Sequence, residues 1–406
     1  MRLMILLLAW CCGVASAQTS GHGEALQADL ANVGRDPVEF AVSALRSHEL
    51  LIFDDAVHNA DDPWRFYQTL VEAPAFNAQL TDIFVETLPV NEQPRLDAYF
   101  NTYPANPNLL LPAFQSGAIT GWNYRSYVDL FATIHAINAD RDPVDRIRVH
   151  AVSTPAYWAQ IQTPADFRTY IGPAQAGRDA HMYAIIYRAL DQFTGTRRGM
   201  FLTNTRHAYN GLHRSDGSLI WNTATYFKQW HPGHSLSIRF NGPFLNIERR
   251  GEDSARVATA EGLENIEYSW VRADSGQWDR AFAQAGDGPV AIPLTGTEFG
   301  TAPYIGNLML NAAAGQTMAD VYDAVIHLGP VTGWQNAADY AEIYTPEFKR
   351  EVARRYQAAY SPEDLSAFLA SQNVADLEAL TSELADGRPV RPLPQALAVG
   401  PLPQLP

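Results

Sequence analysis

The chain has 406 residues, of which 47% are hydrophobic, 11% aromatic and only 18% charged, and its formal net charge is −15. This acidity argues against nucleic acid or an anionic membrane surface as a binding partner. The length is sufficient for a large hydrophobic core, built as one domain or as two subdomains.

The N-terminus has the pattern of a secretory signal peptide. Arg2 supplies the positive charge, residues 3–10 form a short apolar core, and Ala15-Ser16-Ala17 is a small-residue cleavage pattern. The apolar core is too short to span a bilayer as a stable helix, so we expect residues 1–17 to be removed. The expected product is a periplasmic or secreted protein with no membrane span in the mature chain.

Both cysteines, Cys11 and Cys12, lie within this signal. The mature chain would therefore have no cysteine, which excludes a disulfide framework, a cysteine nucleophile and thiolate metal sites. Oxygen and imidazole ligands for a metal ion remain open.

The first half of the chain alternates capped helices with short apolar strands. Helices are predicted at Pro37–Arg46, Trp64–Val71 and Asn91–Phe100, at Asn123–Asn138, from Thr163, and from Gly177 to Gly195. Strands are predicted at His48–Phe53, Asp82–Val85, Arg146–Val152 and Gly199–Thr203. This alternation implies an α/β fold with a central parallel or mixed β-sheet flanked by helices on both faces.

The second half is richer in short β segments. They are predicted at Ser235–Phe240, Phe244–Arg249, Asn265–Arg272, Pro289–Pro293 and Ala324–Leu328, and they either extend the sheet or form a cap. Helices follow Thr345-Pro346 and Ser361-Pro362. We predict one α/β domain over residues 18–386, with helical insertions that cover the site, and an extended or disordered Pro-rich tail over residues 387–406.

Two of the predicted strands stop at ionisable residues. Asp55 and His58 follow the first strand, and Glu86 follows the second. Because parallel strands deliver the residues beyond their ends to a common crevice, these three are candidates for a polar active site. A carboxylate beside an imidazole suits a general base or a metal ligand. An isolated Asp-x-x-His is more often a helix cap with a surface histidine, but the second strand end favours a site.

Two further segments carry candidate residues. Arg178 and Asp179 begin a predicted helix, where Arg178 could hold a carboxylate or an oxyanion. Asp179 either orients that arginine or is simply an acid that favours a helix N-terminus. His207, after the fourth strand, is a second imidazole for the crevice or a hydrogen-bonded loop residue. Two other histidines, His181 and His327, are expected to be structural. A metal role for His231 and His234 is only weakly supported by their His-x-x-His spacing.

In this order, the segments resemble the superfamily that joins erythromycin esterases, ChaN-type haem-binding proteins and Tiki-type proteases. The matching motifs are Asp54-Asp55-Ala56-Val57-His58 at the family's G-E-x-x-H, Phe84-Val85-Glu86 at its second strand, Arg178-Asp179 at its R-D pair, Thr203–His207 at its later histidine, and Asp323–Ile326 at its closing strand. The likeness covers roughly residues 49–328. Asp54 and Asp55 replace Gly-Glu, so a substrate other than a macrolide is expected.

The resemblance implies roles for the motif residues. His58 would be the general base, Asp55, Glu86 and His207 would position water or a metal ion, and Arg178 would bind substrate or stabilise negative charge. This predicts an exported hydrolase that cleaves an ester, lactone or amide in a small-molecule or peptide substrate, without a covalent intermediate.

Two alternatives come with the same resemblance. One is a periplasmic protein that binds haem or iron as ChaN-type proteins do, with Tyr209 or His213 available as a ligand. The other is a Tiki-like metalloprotease. A divalent metal ion is left open as a cofactor, and its predicted ligands are the oxygen and nitrogen atoms of Asp55, His58, Glu86 and His207.

Overall fold

A computed structural model describes residues 21–119, 122–249, 266–304 and 312–394. The predicted signal peptide and the last part of the Pro-rich tail lie outside these residues. In the part of the chain that is described, no helix is both long and apolar enough to cross a bilayer.

The described residues build a mostly parallel central sheet and a separate hairpin. The strands are β1 (Leu50–Asp54), β2 (Asp82–Pro89), β3 (Arg148–Ser153), β4 (Gly199–Thr203), β5 (Ser235–Phe240), β6 (Phe244–Arg249), β7 (Ile266–Val271), β8 (Val290–Pro293) and β9 (Ala324–His327). The seven-stranded sheet has the order β3-β2-β4-β1-β5-β9-β8, in which only β8 is antiparallel to its neighbour. In the second half, β5, β8 and β9 extend the sheet, as one of the two alternatives predicted, while β6 and β7 pair separately.

Helices connect these strands in the manner expected of parallel pairs. They are α1 (21–33), α2 (Pro37–Ser47), α3 (Asp62–Glu72), α4 (Pro74–Asn77), α5 (Gln93–Phe100), α6 (Leu111–Gly117), α7 (Arg125–Ala139), α8 (Pro164–Ala176), α9 (Arg178–Ala189), α10 (Thr205–Ala208), α11 (Thr223–Trp230), α12 (Gln277–Gln284), α13 (Glu298–Thr301), α14 (Met318–Val321), α15 (Pro346–Ala359), α16 (Pro362–Ser371) and α17 (Leu377–Asp386).

Successive residues of the central strands face two different cores. In β1, Leu51 and Phe53 pack into a cluster with α3 and α7, whereas Leu50 and Ile52 pack into a second cluster with α9, α11 and α12. All five residues of β1 are buried, as expected for a parallel strand covered on both faces. The predicted α/β fold, with helices on both sides of the sheet, is confirmed.

The strand predictions are close to the observed bounds, and the main differences concern helices. The helix α11 was not predicted, because its TATYFKQW sequence is poor in strong helix formers. The available signal was Asn222, whose side chain accepts a hydrogen bond from the Thr225 amide at 2.8 Å as an N-cap. The helix α6, which begins at Leu111, was not predicted either.

The described part of the Pro-rich tail packs against the domain. Arg388 pairs with Asp339 at 2.6 Å, and the buried Leu393 donates its amide to the carbonyl of Trp334 at 2.7 Å. Residues 388–393 are therefore fixed on the domain surface, whereas the sequence pattern predicted an extended or disordered segment.

Candidate active site

The central strands bring their predicted site residues to one edge of the sheet. β4 lies between β1 and β2, and the three strands run in parallel. The carboxyl ends of β1, β2 and β4 therefore meet, as they do at ligand sites of open α/β sheets. Glu86 was predicted to follow the end of the second strand. This was wrong, because β2 continues to Pro89 and Glu86 lies within it. It lies where the pairing of β2 with β3 becomes irregular, between Val85 and Pro89.

Asp55 and His58 form a hydrogen-bonded pair in the turn after β1. Asp55 Oδ2 lies 2.9 Å from His58 Nδ1, and the Asp55 side chain is buried. Ala56 adopts a left-handed conformation with φ of 62°, which folds the turn back so that His58 reaches Asp55. The His58 ring packs against Trp122 with 3.5 Å between ring centroids.

The partners of His58 indicate its tautomer. Its Nε2 contacts the side-chain amide nitrogen of Asn204, which can only donate. Nε2 is thus the acceptor, and Nδ1 carries the proton that it donates to Asp55. An imidazole in this state presents a basic Nε2, and the carboxylate behind it stabilises the positive charge that appears when a proton is taken up.

Asp55 has an unusual environment for a carboxylate. Burial raises its pKa, an effect opposed by the nearby His58. Its Oδ1 atom has no hydrogen-bond partner among the described residues. The phenols of Tyr67 and Tyr127 are buried nearby, and burial together with the charge of Asp55 raises the pKa of both well above the ordinary value. The pair therefore sits at an aromatic, water-poor boundary.

The second half of the site is a chain of ion pairs. Glu86 Oε1 lies 2.9 Å from Arg178 Nη2 and 3.3 Å from His207 Nε2. His207 Nδ1 lies 2.7 Å from Asp179 Oδ1, which also accepts hydrogen bonds from the Thr223 amide and hydroxyl at 2.7 and 2.8 Å. The predicted Arg178 and His207 are thus brought to Glu86, and Asp179 is an orienting residue for the histidine.

These contacts fix the charges of the group. Burial alone would lower the pKa of His207, but Asp179 and Glu86 raise it to about 9. Burial alone would raise the pKa of Glu86, but His207 and Arg178 hold it well below its usual range. The pKa of Asp179 is lowered in the same way, chiefly by His207 against the effect of burial. At neutral pH the group is therefore fully ionised, and His207 is a cation rather than a base.

The dipeptide Thr203-Asn204 at the end of β4 joins the two halves. The Thr203 hydroxyl donates a hydrogen bond to Glu86 Oε2, and Asn204 contacts His58. The halves also interact electrostatically, because His58 lowers the pKa of Glu86 and Glu86 raises that of Asp55. The four segments singled out in the sequence therefore converge. Thr203 and Asn204 lie within the predicted Thr203–His207 motif but were given no role, because neither is titratable.

Asp54, which stands at the glycine of the family motif, has a role that the sequence did not reveal. Its Oδ2 accepts hydrogen bonds from Arg239 Nη1 and the Tyr322 hydroxyl, both at 2.5 Å. Its Oδ1 accepts from the Ala56 amide at 2.9 Å and the Thr205 hydroxyl at 3.1 Å. Asp54 itself lies in regular strand, so glycine's conformational freedom is not needed there. The buried carboxylate instead ties the turn after β1 to the one after β4.

The remaining candidates do not enter this site. His327 is buried, stacks on Phe282 at 4.1 Å, and burial lowers its pKa to about 4, as expected of a neutral core histidine. His231 bonds to the Tyr183 hydroxyl at 2.7 Å, while His234 pairs with Glu49 at 3.0 Å. The two therefore have separate partners.

The predicted metal ligands are engaged with one another. Both nitrogens of His207 face carboxylates, and His58 Nδ1 faces Asp55. Among the described residues, no group of three or more histidine, cysteine, aspartate or glutamate side chains is arranged to hold a metal ion. This arrangement does not fit a divalent ion, so the mechanism proposed below uses none.

Comparisons with known proteins place the fold. No protein-family profile matches the chain, and no curated protein is similar to it in sequence. A succinoglycan biosynthesis protein of known structure is similar over 76% of this chain and 96% of that one, with 9% identity and a TM-score of 0.51. At this identity the likeness concerns the fold alone.

Two further solved structures carry the names expected from the motifs. An erythromycin esterase, EreC, matches 71% of this chain and 92% of its own with 9% identity and a TM-score of 0.44. ChaN of Campylobacter jejuni matches 57% of this chain and 91% of its own with 10% identity and a TM-score of 0.31. With about a tenth of the residues identical and TM-scores below 0.5, these two likenesses do not establish a family, and the resemblance to the superfamily of erythromycin esterases and ChaN-type proteins stays a prediction from the motifs.

Proposed function

We propose that the chain is an exported hydrolase that cleaves an ester, lactone or amide through general-base activation of water by His58. The observation that carries the proposal is the oriented Asp55–His58 pair, in which Nδ1 is hydrogen-bonded to a buried carboxylate and Nε2 is left as the acceptor. A histidine held this way is suited to take a proton from water.

In the proposed reaction, a water molecule first replaces the Asn204 amide at His58 Nε2. Nε2 then removes a proton from this water while the water oxygen attacks the carbonyl carbon of the substrate. Asp55 stabilises the resulting imidazolium through Nδ1. The imidazolium then returns the proton to the departing oxygen or nitrogen as its bond to the acyl carbon breaks. The products are a carboxylic acid and an alcohol or amine, and no bond to the protein forms.

The ion-paired half of the site would supply electrostatic stabilisation. Arg178 and the protonated His207 are two cations on one side of Glu86, which holds them in fixed positions. Preorganised cations near a developing oxyanion lower the barrier because they need not reorganise during the reaction. The side-chain amide of Asn204, beside His58, is a further neutral donor.

The haem-binding alternative has no supporting observation of its own. Tyr209 is buried in the second hydrophobic core, and its pKa is raised by that burial. His213 is exposed on a loop, where its backbone pairs with Leu219, and no hydrogen bond joins it to the site residues among the described contacts. The metalloprotease alternative lacks a suitable ligand group among the described residues.

The test is hydrolysis of a panel of nitrophenyl esters, lactones and amino-acid anilides by the purified protein. We expect kcat/KM for the best substrate to fall by about 10²- to 10⁴-fold in His58→Ala, the range of general-base catalysis. His48→Ala is the matched control, because His48 caps α2 through a bond to Ala44 at the other end of the sheet. Equal rates in wild type and His58→Ala would refute the proposal, as would activity abolished by chelators and restored by a metal ion.

The export component has a separate test. Mass spectrometry of the protein from the periplasm or medium should find an N-terminus at Gln18, after the Ala15-Ser16-Ala17 pattern. A product that keeps residues 1–17 in the cytoplasm would contradict it.

A further inference from the structure

An exposed group of aromatic rings lies on the outer side of α9 and α11. Trp221 and Trp230 are 44% and 54% exposed, and their rings are 5.7 Å apart. Tyr226 lies between them, at 5.1 Å from Trp221 and 4.8 Å from Trp230. Tyr183 of α9 contacts Tyr226 and Trp230 at 5.4 and 5.1 Å, and Tyr187 follows at 5.7 Å from Tyr183. These five residues are called the aromatic patch.

Core packing explains only part of the patch: Tyr183 and Tyr187 pack partly against the second core, whereas Trp221 and Trp230 are exposed. Burying large apolar side chains is favourable, so two neighbouring tryptophans are not left half in water without a reason. No other tryptophan is among the exposed large hydrophobic side chains of the described residues. The buried side of α11 is formed by other residues, Ala224 and Phe227, which join the second core.

The patch begins beside the candidate active site. Asp179, at the start of α9, contacts both His207 and Thr223, the first residue of α11. Tyr183 is one helical turn beyond Asp179, about 6 Å along the axis, and the patch ends about two turns from it. Trp221 directly precedes Asn222, whose side chain donates to the Arg206 carbonyl at 2.8 Å. A bound chain on the patch would thus lead toward His207.

We propose that the aromatic patch binds a neutral carbohydrate chain, and that the substrate class is an ester carried on such a glycan. This inference rests on the proposed hydrolase function. The C–H-bearing face of a sugar ring packs on an aromatic ring while its hydroxyls stay hydrated, which suits half-exposed tryptophan and tyrosine better than a dry protein interface does. The net charge of −15 disfavours a polyanionic chain. Hydrolysis would add water across the acyl C–O bond, giving a carboxylic acid and a free sugar hydroxyl.

The test is binding of cellohexaose, laminarihexaose, maltohexaose and chitohexaose, measured by calorimetry and tryptophan fluorescence. We expect at least one of them to bind, and its Kd to rise at least tenfold in Trp221→Ala/Trp230→Ala. Tyr170→Ala is the control, because Tyr170 is 51% exposed but lies on α8 outside the patch. The single variant Trp230→Gln gives the same comparison if the double variant does not fold.

Two results would overturn the inference. One is the absence of wild-type binding to all four hexaoses, or equal binding by the double variant. The other is a wild-type dimer that becomes monomeric in Trp221→Ala/Trp230→Ala, because the patch would then be an interface between copies of this chain.

The design separates this inference from the proposed function. Binding is measured in His58→Ala, which needs no turnover, whereas nitrophenyl acetate hydrolysis by wild type needs no carbohydrate. Sugar binding without ester hydrolysis would refute the hydrolase and leave the binding surface standing. Ester hydrolysis without sugar binding would refute the glycan inference alone. If both hold, KM for acetylated cellohexaose should rise at least tenfold in the double tryptophan variant.

Discussion

The two halves of the candidate site are built on opposite principles. Around Glu86, every charge is matched: Arg178 and His207 face the carboxylate, and Asp179 faces the far side of the imidazole. Around His58 there is a single carboxylate, Asp55, whose pKa is raised by burial. The first half holds charges in fixed positions, whereas the second holds the imidazole that we propose as the general base.

The contrast explains why one site contains two histidines. An imidazole between two carboxylates has a pKa of about 9 and stays protonated at neutral pH. An imidazole between one carboxylate and a neutral amide has an acceptor nitrogen that faces no charged group. Residue type alone does not distinguish a base from an electrostatic group, and the number of carboxylates around each ring does.

The largest expected effect comes from breaking the ion-paired half. Glu86→Ala leaves Arg178 and His207 buried without their shared carboxylate, so we expect the free energy of unfolding to fall by about 3–5 kcal/mol. Hydrolysis should be lost as well. Urea denaturation at pH 7 measures the first effect, with Glu92→Ala as control, because the Arg95 partner of Glu92 is half exposed and their pair contributes little. Equal losses in the two variants would contradict this account.

The second effect is a pH dependence of the free energy of unfolding, and it arises from His207 in the ion-paired half of the site. The pKa of His207 is raised in the folded state, so its stabilisation is complete below about pH 6.5 and is lost as the pH rises through about 9. The raised value corresponds to about 3 kcal/mol. Asp179 and Glu86 have lowered pKa values and titrate below this window. Denaturation between pH 6 and 10 should show the decline in wild type and a flatter profile in His207→Gln.

A smaller loss of stability is expected when a hydrogen bond to Asp54, the residue before Asp55, is removed. Tyr322→Phe removes one of the hydrogen bonds to the buried Asp54 carboxylate, which should cost about 1.5–3 kcal/mol of unfolding free energy. Tyr304→Phe is a closely matched control, because that phenol is buried without a hydrogen-bond partner among the described residues. A Tyr304→Phe loss as large as that of Tyr322→Phe would show that ring packing, and not the hydrogen bond, is being measured.

The smallest expected effect tests how Asp179 acts on the pKa of His207. Thr223→Val removes the hydroxyl that donates to Asp179, at a cost of about 0.5–1.5 kcal/mol, while the backbone amide bond remains. Thr223→Ser keeps the hydroxyl and should behave as wild type. The histidine pKa, followed by NMR titration of the ring protons, should fall only slightly in Thr223→Val. A drop of His207 to an ordinary value would show that the hydroxyl, not the carboxylate charge, fixes its protonation.

The sequence predicted site residues that lie close to an apolar run in the chain. It missed contacts that form only through the pairing of two strands. Apolar runs locate β1, β2 and β4. Asp55 and His207 lie shortly after such a run, and Glu86 lies inside β2 directly after its apolar part, so all three are close to a run in the chain. The partner of Asp54 could not be read in this way, since Arg239 is far along the chain and aligns with Asp54 only through the pairing of β1 with β5. An arginine at a strand position flanked by Ile238 and Phe240 was the available signal.

The turn that carries His58 is closed by residues from much later in the chain. Gly242 approaches Ala56 so closely that a Cβ on the glycine would lie 2.7 Å from that of Ala56, and Trp334 lies against the same glycine. Leu393 in turn fixes the backbone of Trp334. Contacts of such long sequence separation form late in folding, because the chain between them must first be ordered. We therefore expect the turn that carries His58 to become ordered only after residues near 393 have been synthesised and packed against Trp334.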